Sequence, residues 1–215
     1  MATQAPPETL TAETRPGMQP RMTYDEFLAW AGEDMHAEWV NGEVFVYMTA
    51  HTIHQRLVVF LIRLIQEFAD ISNLGEVFAG PMQVKLSPEG SGREPDVFFV
   101  VQERLEHITE KYFDGAPDLA VEVISEDSAN RDRVDKFEEY EEAGVREYWI
   151  IDPRPRRRRA DFYQLGADGK YQPVPTGTEG IYRSAVLPGF WLKVSWLWEE
   201  PLPKLMPTLE EIKGK

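Results

Sequence analysis

From Met22 onward, apolar residues recur in short patterned runs divided by turn residues. Thr23 has the character of a helix N-cap, with Glu26 three positions on as its capping-box partner and Phe27, Leu28 and Trp30 as inward positions. Ala37–Val40 and Glu43–Tyr47 are β-rich and flank Asn41-Gly42, a tight-hairpin dipeptide. His51–Ala69 carries Ile53, Leu57, Phe60, Leu61, Leu64, Ile65 and Phe68 at helical spacing, so one long helix with one apolar face is predicted. The pattern then turns strand-like over Glu76–Ala79, Met82–Leu86 and Val97–Val101, with Gly80-Pro81 and the loop Ser87–Glu94 between them. Asp118–Ser125 reads as a buried strand after Ala116-Pro117. The polar stretch Asp127–Ala143 has Val134, Phe137 and Tyr140 at three-residue spacing, and Gly144 suits the residue just past a helix end. Glu147–Ile151 is a strand stopped by Asp152-Pro153, and runs near Arg159–Leu165 and Lys170–Val174 predict a hairpin around Asp168-Gly169. This order predicts a mixed α/β domain with a sheet at its centre.

The two ends differ from this pattern. Residues 1–21 hold four prolines and no apolar run, so a flexible tail is expected rather than a signal peptide. Residues 22–196 form the expected domain, and the Pro- and Glu-rich 197–215 are expected to trail over its surface. No window approaches the roughly 18 apolar residues of a membrane span, which predicts a cytoplasmic protein with no membrane partner. Composition narrows the chemistry further. The 215 residues include no Cys, which removes disulfides, zinc fingers, iron–sulfur clusters and thiol nucleophiles. A net charge of −14 opposes nucleic acid as a whole, so any such contact needs a local basic patch or a metal ion.

The most informative segment is the strand with Glu122 at its middle. A buried carboxylate needs a cation, a donor cluster or a metal to compensate it. Asp96 opens the run Val97–Val101 and can lie beside an acid on a neighbouring strand. Two such carboxylates facing a cleft suit Mg²⁺ or Mn²⁺ with water and phosphate completing the shell. Lys136, next to the inward Phe137, is placed to reach back over the sheet end. A plainly structural reading stands beside this one: Asp96 capping a turn after Pro95, and Lys136 merely neutralising Glu122.

These residues carry a resemblance. Pro95-Asp96, Pro117–Ser125 with Glu122 inside it, Asp132, Lys136, Tyr140, Gly144-Val145 and Glu147–Pro153 are similar to the Uma2 family (DUF820), grouped with restriction endonucleases in the PD-(D/E)XK nuclease superfamily. Upstream, Met22–Leu28, Glu38–Glu43, His54-Gln55 and Gly80–Val84 are similar too, so the likeness runs from about Met22 to about Val174. It implies a restriction-endonuclease-like core, a central mixed β-sheet flanked by helices, with Mg²⁺-dependent hydrolysis of DNA. On that resemblance Asp96 and Glu122 bind the metal, Lys136 is the catalytic cation, Glu38 is a third acid that extends the metal shell, and His54 is an accessory residue. A homodimer is the implied assembly, since two copies serve a double-strand cut. The chain departs from these patterns in two places: Ile124 stands where the superfamily's literal Glu-X-Lys has lysine, and Ser125-Glu126-Asp127-Ser128 replaces the family's common Ser-Pro-Ser run.

Other readings stay open at this point. A nuclease fold without turnover, binding protein or nucleic acid, is an alternative that the acidic charge favours, and hydrolysis of a smaller phosphate ester is a third. Arg154 and Arg156–Arg159 put five arginines in six positions; Arg156, Arg157 and Arg158 are candidates for phosphate contact, or else guard an exposed strand edge. A further open alternative is that they balance the acidic run Glu138, Glu139, Glu141 and Glu142. His51, His54 and Glu38 lack the His-Glu-X-X-His spacing of a zinc site. Phe190, Trp191, Trp196 and Trp198 suit packing or an oligomer interface better than base stacking. No Gly-X-Ser-X-Gly or Gly-rich phosphate loop is present.

Overall fold

A computed structural model describes residues 21–31, 37–46, 51–88, 90–125 and 131–214. All but the last residue of the tail expected over 1–21, Tyr47 of the first hairpin and residues 126–130 lie outside the described residues. In chain order the elements are α1 (Tyr24–Trp30), β1 (Ala37–Val40), β2 (Glu43–Val46), α2 (Thr52–Ser72), β3 (Gly75–Phe78), β4 (Gln83–Lys85), β5 (Gly92–Arg93), β6 (Val97–Val101), β7 (Tyr112–Asp114) and β8 (Leu119–Val123). There follow α3 (Lys136–Ala143), β9 (Glu147–Asp152), β10 (Arg159–Leu165), β11 (Tyr171–Pro173), β12 (Ile181–Arg183), β13 (Trp191–Lys193) and α4 (Leu205–Ile212).

The main sheet has six strands in the order β11-β10-β9-β8-β6-β3. It is mixed: β8 and β9 run parallel, and the other neighbours run antiparallel. A second sheet, β2-β1-β5-β4-β7, brings the early hairpin together with the strands before and after β6. Side-chain alternation on β8 sorts the main core into two. Leu119, Val121 and Val123 join Leu57, Leu61, Leu64 and Phe68 of α2 on one face. Ala120 and Ile124 join Tyr140 of α3 and Val84 and Phe113 of the second sheet on the other. Glu122 falls between Ala120 and Ile124 in this alternation, so the fold delivers its carboxylate into the α3-facing layer.

Local sequence signals account for the main elements. The Thr23–Glu26 capping box forms in both directions at the start of α1. Asn41 and Gly42 take positive φ at the β1–β2 turn, and Gly144 does so after α3. Two expectations need correction. Residues 197–215 do not simply trail over the surface: Leu197 is buried, and α4 lays Leu209 and Ile212 into the core beside α2. Their spacing gives α4 an apolar face that the surrounding Pro and Glu residues hide from inspection. The turn before α3, Arg131–Asp135, is a π-helix rather than ordinary α-helix. That wider turn leaves Val134 exposed and turns Asp132, Lys136 and Tyr140, each four apart, inward.

Candidate metal-assisted active site

Asp96 and Glu122 come from adjacent antiparallel strands. Val97 pairs with Val121 and Phe98 with Ala120, so continuing the register by one residue sets Asp96 alongside Glu122. The Val123 N–H donates to Asp96 Oδ2 at 2.7 Å, which ties this carboxylate to the strand that carries Glu122. His54, in the first turn of α2, donates from Nε2 to the same oxygen at 3.1 Å. Burial works against a charged imidazole here, but the Asp96 carboxylate outweighs it and raises the His54 pKa. Nδ1 of His54 is buried without a hydrogen-bond partner among the described residues.

Glu122 is almost fully enclosed. Its Oε1 accepts from Lys136 Nζ at 2.8 Å and from the Tyr140 hydroxyl at 3.0 Å. Burial holds its carboxyl well above the usual carboxylate range; the Lys136 ammonium pulls it back, and Asp132, Asp96 and Glu38 push it up again. Burial and the Glu122 charge likewise keep the Tyr140 phenol firmly protonated. Lys136 is itself 3% exposed, with Nζ 2.7 Å from Glu38 Oε1 and 3.6 Å from Asp132 Oδ1. The π-turn makes this geometry, since it aligns Asp132, Lys136 and Tyr140 on one inward stripe.

Glu38 has a different occupation from Asp96. Its Oε1 takes the Lys136 ammonium and the Glu94 N–H at 3.2 Å, and its Oε2 takes Arg93 at 3.0 Å. Beside it, burial pushes the Glu94 carboxyl up to about 8, offset in part by hydrogen bonds from Ala37 and Gln83. Arg93, on β5, grips Glu139 of α3 with two bonds of 2.7 Å. Sequence reasoning missed Arg93 because it stands in a two-residue strand with no periodicity. Its signal was there only in its place three residues before Asp96.

Asp96, Glu122, Lys136, Glu38 and His54 are therefore gathered in one cluster. Arg156, Arg157 and Arg158 are not within it. They are exposed in the β9–β10 connection, where Arg158 pairs with Glu200 at 3.1 Å. The donor set favours a particular kind of metal. Oδ1 of Asp96 and Oε2 of Glu122 have no hydrogen bond among the described residues, while their other oxygens are anchored. Two hard oxygens suit a largely hydrated Mg²⁺ or Mn²⁺. Among the described residues no group of three or more His, Asp or Glu side chains forms a closed metal cage. The set thus fits a hydrated hard cation and does not fit a site coordinated wholly by protein.

A mixed sheet flanked by helices defines the chain as a mixed α/β fold, with an acid pair and a lysine gathered over one face of that sheet. The chain belongs to the Uma2 family, described as "Putative restriction endonuclease", whose model matches residues 24–195. A solved structure with a similar fold is a putative nuclease belonging to DUF820 from Anabaena variabilis ATCC 29413. It is 15% identical, with a TM-score of 0.67 over 82% of this chain and 97% of that one. No curated protein matches the sequence. Among the described residues, no helix is long and apolar enough to cross a membrane.

Proposed function

We propose that the protein hydrolyses DNA phosphodiester bonds with the help of Mg²⁺ or Mn²⁺ held by Asp96 and Glu122. The observation that carries this reading is the Lys136 ammonium bonded at 2.8 Å to a Glu122 that lies beside Asp96. A cation and two carboxylates around one point match the needs of phosphoryl transfer, where charge develops on phosphate oxygens. When bound, the metal supplies Lewis-acid polarisation and an acidified water. Asp96 is oriented by the Val123 N–H and by His54. Tyr140 and Lys136 fix one oxygen of Glu122 and leave the other for ligation. Lys136 also supplies the positive charge that offsets the developing phosphate anion. Glu38 holds Lys136 in place in this scheme rather than joining the metal shell, because both its oxygens are engaged. The exposed Arg156, Arg157 and Arg158 provide a basic strip for flanking phosphates in an otherwise acidic protein. A two-fold pair of copies would deliver one cut to each strand; sedimentation of the purified protein as a monomer alone removes this element.

The test is cleavage of supercoiled and linear DNA with Mg²⁺, with Mn²⁺ and with chelator. Metal-dependent cutting that disappears in Asp96→Asn is expected. Equal cutting by wild type and Asp96→Asn, or none by wild type with either metal, overturns the proposal.

A second reading is favoured by one observation: the −14 net charge, which opposes approach of DNA. In it the fold binds a partner without turnover. Calorimetric titration with Mg²⁺ and Mn²⁺ separates the two, since the binding module predicts no heat from the acid pair.

A further inference from the structure

Among the described residues, Arg93 is the most deeply buried cation outside the acid pair and its lysine, at 2% exposure. It touches neither Asp96 nor Glu122. Instead it lies between two acids, with Nη1 on Glu38 and the remaining fork on Glu139. The charges form an alternating chain: Glu139, Arg93, Glu38, Lys136, Glu122. Four parts of the fold contribute, namely β1 with Glu38, β5 with Arg93, β8 with Glu122 and α3 with Glu139 and Lys136.

Such an arrangement is a poor way to gain stability. Buried ion triads break even at best against apolar side chains of the same size, because each charge must leave water. The geometry therefore suggests a positional role. Removing Arg93 would leave more of the Glu38 charge to act on Lys136. With Arg93 on Oε2, and the Glu94 N–H sharing Oε1, that pull is divided. Lys136 then remains shared between Glu38 and Glu122, and its ammonium stays beside the acid pair.

We infer that Arg93, clamped by Glu139, is a positioning residue that sets the balance of Lys136 between Glu38 and Glu122. This rests on the nuclease reading above for its catalytic consequence, although not for its structural one. The fork geometry matters: a guanidinium serves both acids at once, whereas an ammonium cannot reproduce two parallel bonds to Glu139.

The experiment uses the full chain and the variants Arg93→Met, Arg93→Lys and Glu139→Gln, each first checked for cooperative thermal unfolding. Two readouts are taken. The first is kcat and KM for metal-dependent DNA cleavage. The second is the ¹⁵N signal of the Lys136 side-chain ammonium in lysine-labelled protein, assigned by its loss in Lys136→Met. Arg93→Met is expected to lower kcat by about 10–100-fold with KM within about twofold, as for residues that orient a ligating group from behind. It is also expected to move the Lys136 signal. Glu139→Gln is expected to produce the same changes at smaller size. Where Arg93→Met does not fold, Arg93→Lys takes its place and is expected to move both readouts part of the way. A folded variant whose Lys136 signal is unmoved overturns the inference. So does a fall in cleavage that tracks only the loss of folded protein. Should wild type cut no DNA, the nuclease reading fails by itself, and the ammonium signal still decides the role of Arg93.

Discussion

Two buried glutamates lie on neighbouring strands of the main sheet and are treated in opposite ways. Glu147, at the start of β9, is wholly enclosed and surrounded by neutral donors. The Ser184 hydroxyl reaches both its oxygens at 3.1 and 3.0 Å, the Val186 N–H donates at 3.1 Å, and the Ala185 N–H, Trp149 indole and Gln164 amide complete the set. It anchors the segment that enters the C-terminal half of the fold. Glu122, toward the end of β8, has a cation and a phenol on one oxygen and no hydrogen bond on the other among the described residues. A carboxylate satisfied on all sides holds structure; one satisfied on half its sides keeps an oxygen open, as the proposed metal ligation requires. Burial is nearly the same in both cases, so burial alone does not mark a site.

The same substitution at both positions gives the strongest test. Glu122→Gln should remove at least about 10²-fold of metal-dependent cleavage. It should change stability by less than about 1 kcal/mol, because the amide oxygen still accepts from Lys136 and Tyr140 and Lys136 keeps its contact with Glu38. Glu147→Gln should do the reverse. An amide group turned toward backbone N–H donors leaves them unpaired, at a cost of about 3 kcal/mol, while activity per folded molecule persists. Thermal melts and cleavage assays on both variants check this. If Glu147→Gln abolishes cleavage in a fully folded protein, the contrast is broken.

The next pair removes one supporting hydroxyl from each acid. Tyr140→Phe is expected to lower cleavage about tenfold by loosening Glu122. Ser184→Ala is expected to cost about 1 kcal/mol in denaturant unfolding and to leave cleavage unchanged.

The smallest effect is in acid. Burial would raise the Asp152 pKa, but Arg154, with bonds of 2.9 and 2.8 Å, and Arg133 hold it below the ordinary value. A depressed carboxyl contributes stability above its unfolded pKa and loses it as pH falls through the folded value. Unfolding titrations below about pH 4 should therefore show a loss of about 1 kcal/mol that Asp152→Asn lacks. Identical acid profiles for the two proteins would remove this assignment.

Much of the fold was legible because its signals are local. The capping box at Thr23, the Asn41-Gly42 turn and the run Val97–Val101 each specify their own element. The gathering of Asp96, Glu122 and Lys136 was legible for another reason: an acid inside an apolar strand has to be answered by something. What escaped was non-local or irregular. The π-turn shifts the inward face of the α3 region, so three-residue spacing brought Val134 inward on paper while the fold turned Asp132 inward instead. Arg93 has meaning only once β5 is laid between β1 and β4. The apolar positions of α4 are too few to stand out among Pro207, Glu210 and Glu211.

The alternating charges from Glu139 to Glu122 have a consequence for how the molecule matures. Glu38 arrives on the early hairpin, Arg93 on a short bridging strand, Glu122 on the central sheet and Lys136 on a later helix. No single segment owns the set, and a half-assembled chain holds only isolated charges that water will keep apart. Completion of the fold and assembly of this charge chain are thus one event.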